Sequence, residues 1–418
     1  MEILYLHQHF SSPKGATGIR SYEMARRAVQ SGHGVTMVCG SYSAGDTGLT
    51  GPFARGRREG MVDGIRVIEF ELAYFNRDGF LKRSGTFLKF ALGSIDIALR
   101  ERYDVLFATS TPLTAGIPGI FARWLRRKPF VFEVRDLWPE LPRAMGVIRN
   151  PIVLGAMSVL EYASYRSADR CVALAPGIAE GIARRGVPPE RIVMVPNGCD
   201  IGIFGTQASQ AWRPDGVFPG DLMAVYAGTH GQANGLDAVL NAAAVLKSRQ
   251  LTAIKIVLVG DGRQKPQLAQ RVEDEGLSNV IMLPPVPKER LAGLMAAADL
   301  GLQSLANVPA FYYGTSPNKF FDYIAAGRPV LINYPGWLAE IIETHDCGFV
   351  AAPDDPAAFA NALEAAANDR AALQLKGRNS ARLARAEFDR HKLADQWVAW
   401  VVEGRRVLPP IVESKREG

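Results

Sequence analysis

Lys319 and Asp322 stand three residues apart in Ser316-Pro317-Asn318-Lys319-Phe320-Phe321-Asp322. On a helix that spacing lets a cation and a carboxylate reach one ligand. Pro317 suits the first turn of such a helix, where it has no N–H to lose. Asn318 and Lys319 then lie where free backbone N–H groups and a partial positive charge favour a phosphate or a carboxylate. The same residues also read as an ordinary capped helix. Phe320, Phe321 and Ile324 recur at near-helical spacing, Gly327 ends the helix, and Val330-Leu331-Ile332 follows as a buried strand.

A second polar group is Arg135-Asp136-Leu137-Trp138-Pro139-Glu140, directly after the strand-like Phe130-Val131-Phe132-Glu133-Val134. Residues just past the C-terminal end of a parallel strand lie on the ligand edge of an open sheet. Arg135 and Asp136 are therefore candidate catalytic residues, with a structural ion pair as the plainer reading. Glycine-rich loops follow other strand-like runs. One ends at Gly18, one is Gly228-Thr229-His230-Gly231-Gln232-Ala233-Asn234-Gly235, and one is Gly260-Asp261-Gly262-Arg263. None is GxGxxG, so each is either a phosphate cradle or a strand-to-helix turn. Pro284-Pro285-Val286-Pro287 closes a further strand.

Much other chemistry lacks its parts. There is no GxxxxGK[ST], no GxSxG and no HExxH. The six histidines and four cysteines show no zinc-ligand spacing beyond His7-Gln8-His9, which reads as an edge-of-sheet feature. No DxD carboxylate pair is available for a metal–diphosphate clamp. A bound diphosphate would have to be held by helix N-termini and a few cations.

The elements that position these groups recur along the chain. With 418 residues, 48% apolar and 22% charged, two globular domains are expected. No apolar run is long enough to cross a bilayer, the N-terminus reads as a first strand, and the scattered cysteines read as free thiols. Residues 1–208 carry 26 Lys and Arg against 19 Asp and Glu, whereas 209–418 carry 22 against 23, so the excess charge belongs to the first half. A basic half suits an anionic partner. Strand, loop and helix alternate from residue 3 and again from residue 223, which predicts parallel, doubly wound sheets. The expected layout is an N-terminal domain over 1–205, a linker over 206–220, a C-terminal domain over 221–390, and a last segment over 391–418. In that segment Leu393, Trp397, Trp400 and Val401 share one helix face. Residues 77–99 form an amphipathic, basic and aromatic segment, echoed by Trp124-Leu125-Arg126-Arg127-Lys128. That chemistry fits a solvated helix with one buried face, or a helix in a membrane interface.

Taken in order, Pro196-Asn197-Gly198-x-Asp200, Gly228 to Gly235, Gly260-Asp261-Gly262 and the stretch from Ser316 to Pro329 resemble glycosyltransferase family 4 over nearly the whole chain. Glu133-Val134-Arg135-Asp136-Leu137-Trp138-Pro139-Glu140 with Thr315 to Lys319 looks like a narrower branch, the bacterial O-antigen and capsule N-acetyl-L-fucosamine transferases. The resemblance implies a GT-B fold: two Rossmann-like domains facing across a cleft, with the final helix crossing back to the N-terminal one. It implies a retaining transfer from a UDP-sugar to a polyprenyl-diphosphate-linked saccharide at the cytoplasmic membrane face. The basic N-terminal domain would meet the membrane surface. Neither an essential metal or other cofactor nor a nucleic-acid partner is implied.

By the same resemblance, the donor would be held by Gly18, Gly228, Thr229, Gly231, Asn234, Gly260, Arg263, Val286, Ser316, Pro317, Asn318, Lys319 and Asp322. Arg135, Asp136 and Lys319 would be catalytic. Some positions depart from the family pattern. Gly314 stands where a glutamate is usual, Asp322 replaces a second one, Thr229 and Asn234 replace an Arg and a Lys, and Arg135 replaces a histidine. Diphosphate charge then falls to Lys319, to Arg263 or Lys265, and to loop N–H groups such as Gly231. A UDP-sugar epimerase and a non-catalytic nucleotide-sugar-binding subunit are the alternatives on the same fold.

Overall fold

The computed structural model describes residues 1–15, 17–42, 45–74, 79–205 and 210–405. The chain forms two compact units. One comprises Met1–Asn197 with Gly314–Ser316 and the chain from His391 on; the other comprises Gly198–Tyr313 with Pro317–Arg390.

The first unit is built on β1 (Glu2–Leu6), β2 (Gly34–Tyr42), β3 (Arg57–Val62), β4 (Ile65–Tyr74), β5 (Val105–Thr109), β6 (Phe130–Val134), β7 (Arg170–Ala173) and β8 (Ile192–Met194). They form one sheet in the order β3-β4-β2-β1-β5-β6-β7-β8, parallel except for β3 against β4. Strands β5 and β6 are buried throughout, as strands covered on both faces must be. Helices α1 (Arg20–Gln30), α2 (Phe80–Arg100), α3 (Gly116–Leu125), α4 (Glu140–Ala144), α5 (Pro151–Ser167) and α6 (Pro176–Arg184) connect them. Alternation along β6 divides the layers. Phe132 meets Tyr165 of α5, and a Cβ on Gly119 of α3 would lie 2.3 Å from the Phe130 ring. Val131 faces the other way, into a core shared with Tyr5, Met37 and Phe107. Strand order reverses at β1 and β5, the topological switch point.

The second unit carries α7 (Ile201–Phe204), β9 (Leu222–Ala227), α8 (Leu236–Ser248), β10 (Ile254–Val259), α9 (Lys265–Asp274), β11 (Val280–Leu283), α10 (Lys288–Ala297) and β12 (Leu300–Gln303). It continues through α11 (Asn318–Ala325), β13 (Val330–Ile332), α12 (Trp337–Thr344), β14 (Gly348–Val350), α13 (Pro356–Asn368) and α14 (Arg370–Ala386). Its sheet runs β11-β10-β9-β12-β13-β14, all parallel, and reverses between β9 and β12. These two strands pair only at Leu300–Ala224 and Gly301–Val225, so their C-terminal ends are free of each other. The Ala227 N–H donates instead to the Tyr323 hydroxyl of α11 (2.9 Å). Gly301 permits that approach, since a Cβ there would lie 2.4 Å from the Tyr323 ring.

The last helix, α15 (Arg390–Glu403), returns the chain to the first unit. Trp397 stacks on Tyr5 (5.6 Å between ring centroids) and meets Phe107 edge-on (4.8 Å). The Trp400 indole donates to the Cys171 carbonyl (3.1 Å), and Arg27 pairs with Asp395 (2.9 Å). Leu393, Trp397, Trp400 and Val401 are all buried.

Some boundaries differ from the sequence reading. Residues 198–205 cluster with the second unit, because Asp200 is bonded there by Lys288 and Arg390. Of the segment 206–220, residues 206–209 lie outside the described ones. Trp212 and Arg213 tie its remainder to the second unit through the Arg290 and Ala297 carbonyls. Residues 77–78 and those beyond 405 also lie outside the described ones.

Candidate functional site

In the second unit the crevice at the C-terminal ends of β9 and β12 is lined by glycine loops and by the start of α11. Helix α11 begins at Asn318, so Pro317 is its N-cap, in extended conformation (φ −72°, ψ 128°), one residue ahead of the expected first turn. The chain enters α11 from Ser316. The Ser316 hydroxyl accepts the Asn197 N–H (3.0 Å), and the Ser316 carbonyl accepts the Asn197 side-chain amide (2.6 Å). This fixes the extended entry. The Ser316 hydroxyl, one of the expected donor contacts, accepts this bond and keeps its own O–H to donate.

Lys319 projects from the first turn of α11 over the end of β9. Its ammonium donates to Asn234 Oδ1 (3.1 Å) and lies 5.0 Å from the centre of the Tyr226 ring. A side chain at 228 would crowd it, since a Cβ there would be 3.1 Å from the Lys319 stem. Burial lowers the Lys319 pKa to about 8, against the opposing pull of Asp322. One turn on, burial raises the Asp322 carboxyl to about 7. Lys288, Arg390 and Lys319 oppose that rise, and Asp200 adds to it. Both groups therefore change charge near neutral pH, which is unusual for either type.

The two loops brace each other. Gly260 has φ 143°, and a Cβ there would lie 1.9 Å from the Gly228 carbonyl oxygen, so only glycine permits the contact. The His230 N–H donates to the Asp261 carbonyl (2.9 Å), and the His230 carbonyl accepts the Gln264 N–H (2.9 Å). Tyr226 closes its own loop by donating to the Thr229 carbonyl (2.8 Å). Lys265 is committed inward, donating to the Gly260 and Leu283 carbonyls (2.6 and 3.0 Å). Arg263, the other cation offered for a diphosphate, is exposed. The crevice thus gathers Gly228, Thr229, Gly231, Asn234, Gly260 and Lys319, with Asp322 behind them. Asn318 is exposed at the helix start, and Val286 is half-buried on the β11–α10 loop.

Gly18, Arg135 and Asp136 belong to the first unit. Gly18 is exposed ahead of α1. Arg135 follows β6, its N–H donating to Ser110 Oγ (2.9 Å). Burial raises the Asp136 carboxyl, with Arg135 opposing. His7 and His9, expected as an edge-of-sheet feature, lie near them. Burial, then Arg135, holds His7 well below its usual range, and the same causes take His9 to about 4. Both imidazoles are neutral near pH 7. His7 Nδ1 lies 2.7 Å from Ser21 Oγ, and His9 packs among Tyr42, Tyr74 and Phe87. The available signal was position: alternate residues at the end of β1, a switch-point strand.

Beneath this group lies an ion pair that sequence reasoning also missed. Arg20 and Glu133, both fully buried, meet at 2.8 Å. Glu133 also accepts the Thr109 hydroxyl (3.0 Å), and Arg20 donates to the carbonyls of Val195 (2.8 Å) and Pro196 (2.6 Å). In the second unit Asp200 accepts from Lys288 and Arg390. These cations outweigh burial and hold its carboxyl below the usual range. Arg390 also donates to the Gly198 carbonyl (2.8 Å). Each end of the Pro196-to-Asp200 motif is thus bonded by a buried arginine, Arg20 at one and Arg390 at the other.

Comparison with known proteins agrees with this layout. Residues 15–198 match the glycosyl transferase 4-like domain, and 222–369 match the glycosyl transferases group 1 family. A D-inositol 3-phosphate glycosyltransferase of Pseudarthrobacter chlorophenolicus is 28% identical over 302 residues, covering 67% of this chain and 66% of that protein. The protein of that name from Nocardia farcinica is 30% identical over 219 residues, covering 50% and 47%. The chain therefore spans about two thirds of the first relative and under half of the second. Among solved structures, Anabaena HepE in complex with UDP superposes with a TM-score of 0.67 at 19% identity, covering 97% of this chain and all of that one. WaaG, a glycosyltransferase involved in lipopolysaccharide biosynthesis, gives 0.67 at 16% identity over 96% of this chain and 100% of its own. At such identities the likeness shows the fold. With the two matches in order, each on its own parallel sheet, the chain joins a glycosyl transferase 4-like domain to a glycosyl transferases group 1 domain and has the GT-B fold.

Proposed function

We propose that this chain transfers a sugar, of the N-acetyl-fucosamine type, from a UDP-sugar to a hydroxyl of a polyprenyl-diphosphate-linked saccharide, with retention at the anomeric carbon. The product would be an O-antigen, capsule or exopolysaccharide unit. The enzyme would work peripherally at the cytoplasmic membrane face, with its basic N-terminal domain toward the lipid. The domain over 221–390 would hold the donor and the domain over 1–205 the acceptor.

The observation that carries this reading is Lys319, a half-buried cation on the first turn of α11 at a switch-point crevice walled by Gly228 and Gly260. Negative charge grows on the leaving β-phosphate as the sugar C–O bond breaks. A preorganised ammonium and nearby N–H groups stabilise that charge, a term that commonly dominates such chemistry. Asp322 can accept hydrogen bonds from ribose hydroxyls. On the other unit, Arg135 and Asp136 would position the acceptor hydroxyl, with His7 and His9 as neutral neighbours. UDP bound to HepE and the glycosyltransferase names of the relatives support a nucleotide-sugar donor.

The relatives' names favour a second acceptor class, an inositol phosphate. Purified protein incubated with UDP-sugars separates the two. The expected result is transfer to a synthetic polyprenyl-diphosphate saccharide and none to inositol 3-phosphate. Lys319→Ala should lower kcat by roughly 100- to 1,000-fold, the usual effect of removing one stabilising donor. Full activity of that variant would sink the proposed role of Lys319.

A further inference from the structure

Helices α2, α3 and α5 form one layer on the first unit's sheet, α3 packing on both of the others. The outer side of this layer is apolar where a soluble surface is usually polar. Leu88, Leu92, Trp124, Leu125, Val159 and Tyr162 are each between 50% and 68% exposed. Their placement is regular. Leu88 and Leu92 lie one turn apart on α2, opposite the buried Phe90 and Ala91. Val159 and Tyr162 lie one turn apart on α5. Between them, at the end of α3, the Trp124 indole N–H is tied to Ser167 of α5 (2.9 Å) while its ring stays open to solvent. Scattered exposed apolar residues need no explanation, but a contiguous set does.

The charges on this layer are one-sided. The three helices and the turn after α3 hold nine cations: Lys82, Arg83, Lys89, Arg100, Arg123, Arg126, Arg127, Lys128 and Arg166. Against these stand Asp96, which pairs with Arg100 (2.6 Å), and Glu161, which pairs with Arg185 of α6 (2.7 Å). Arg123 pairs with Asp169 just past α5 (3.1 Å) and Arg126 donates to the Ala98 and Glu101 carbonyls, which leaves the other cations of the set to meet an anionic surface. We infer that this face seats on an anionic lipid surface, its leucines and Trp124 entering the headgroup boundary and its arginines and lysines meeting the lipid phosphates. Exposed apolar side chains rimmed by Lys and Arg, with tryptophan at the boundary, are what an interfacial site requires. A second copy of the chain fits poorly, because a two-fold interface would set this cationic face against itself. Among the described residues no helix is long and apolar enough to cross a membrane, so attachment here is by seating.

A lipid-linked acceptor, as proposed above, would give this face its purpose, and this inference rests on that reading for its role but not for its test. Full-length protein is sedimented with phosphatidylglycerol or phosphatidylcholine vesicles, with neither donor nor acceptor present. Binding should favour the anionic vesicles and weaken as salt rises. Leu88→Glu combined with Leu125→Glu should weaken it at least tenfold. Arg127→Ser with Lys128→Ser should weaken it less and flatten the salt dependence. Trp124→Phe should diminish the blue shift of tryptophan fluorescence on vesicle addition. Thermal melts of each variant establish that it is folded. Wild type that ignores both vesicle types, leucine variants that bind as wild type does, or a wild-type dimer that the leucine variants make monomeric would each overturn the inference. Transfer to a short-chain, water-soluble acceptor is measured on the same variants. Its loss in wild type would count against the proposed reaction while leaving the vesicle result intact.

Discussion

The two switch-point crevices are built from different materials. At β9 and β12 the walls are glycine backbone and one helix start, and the reactive inventory is Lys319 and Asp322. At β1 and β5 the walls are side chains: His7, His9, Arg135 and Asp136 above the buried Arg20–Glu133 pair. The first arrangement keeps backbone N–H groups close to a ligand and leaves its two ionisable groups near their titration points. The second rests on one charge pair, Arg20–Glu133, whose bonds are satisfied within the protein. On the proposed reading, the first would grip the donor's diphosphate and the second would hold the acceptor.

The sharpest way to break the contrast is to remove one member of the satisfied network. Arg20→Met strands Glu133 in a dry interior and frees the Val195 and Pro196 carbonyls. Breaking a buried pair from one side costs about 3–5 kcal/mol. A denaturant midpoint that falls accordingly, read by circular dichroism, is the expected result. An unchanged midpoint would mean that the pair is not sealed from water. Lys319→Ala, in contrast, should leave the midpoint nearly unaltered, because it removes a half-buried cation whose desolvation is itself unfavourable.

A smaller effect sharpens the comparison through pH. A diphosphate beside Lys319 favours its charged form, so the pKa rises in the complex. UDP affinity then falls as pH rises through about 8, the pKa of the free protein. Asp322 accepts ribose hydrogen bonds best when ionised, so affinity also falls as pH drops through about 7. Titration calorimetry across pH 5.5–9.5 should give tightest UDP binding between these values, weakening up to roughly tenfold per pH unit outside them. Lys319→Ala should flatten the alkaline limb and Asp322→Asn the acid limb. A flat profile in wild type would refute the assignment of both residues to the donor.

What could be read from the sequence follows the same division. The second unit's candidate crevice was legible because it is made of residue types that signal themselves: glycines after strands, a proline before a helix, and a lysine on the first turn. The β–α alternation gave both parallel sheets and the buried face of α15. The first unit's site was less legible. Its polar groups come from β1, α1 and β6, and no local spacing announces that Arg20 reaches Glu133 or that His9 sits within reach of Arg135. Strand β3 escaped for a related reason. Arg57-Arg58-Glu59-Gly60-Met61-Val62 is half-exposed at a sheet edge, where the apolar pattern that marks interior strands is absent. The bond from the Asn197 N–H to the Ser316 hydroxyl has no local sequence signal either, since the two residues lie far apart in the chain.

The least perturbing change asks what keeps His9 neutral. Burial is the larger cause and Arg135 the next. Arg135→Met removes the charge but keeps the aromatic enclosure of Tyr42, Tyr74 and Phe87. The His9 ring, followed by NMR, should then titrate above about 4 yet still below the ordinary histidine value near 6.5. Phe87→Ala keeps the charge but opens the enclosure to water, and should raise the pKa further than Arg135→Met does. The order of the two responses decides the matter. If the arginine variant gives the larger rise, the first unit's crevice is governed by a movable charge, like the second. If the phenylalanine variant does, the crevice is governed by packing, and the two units differ in kind.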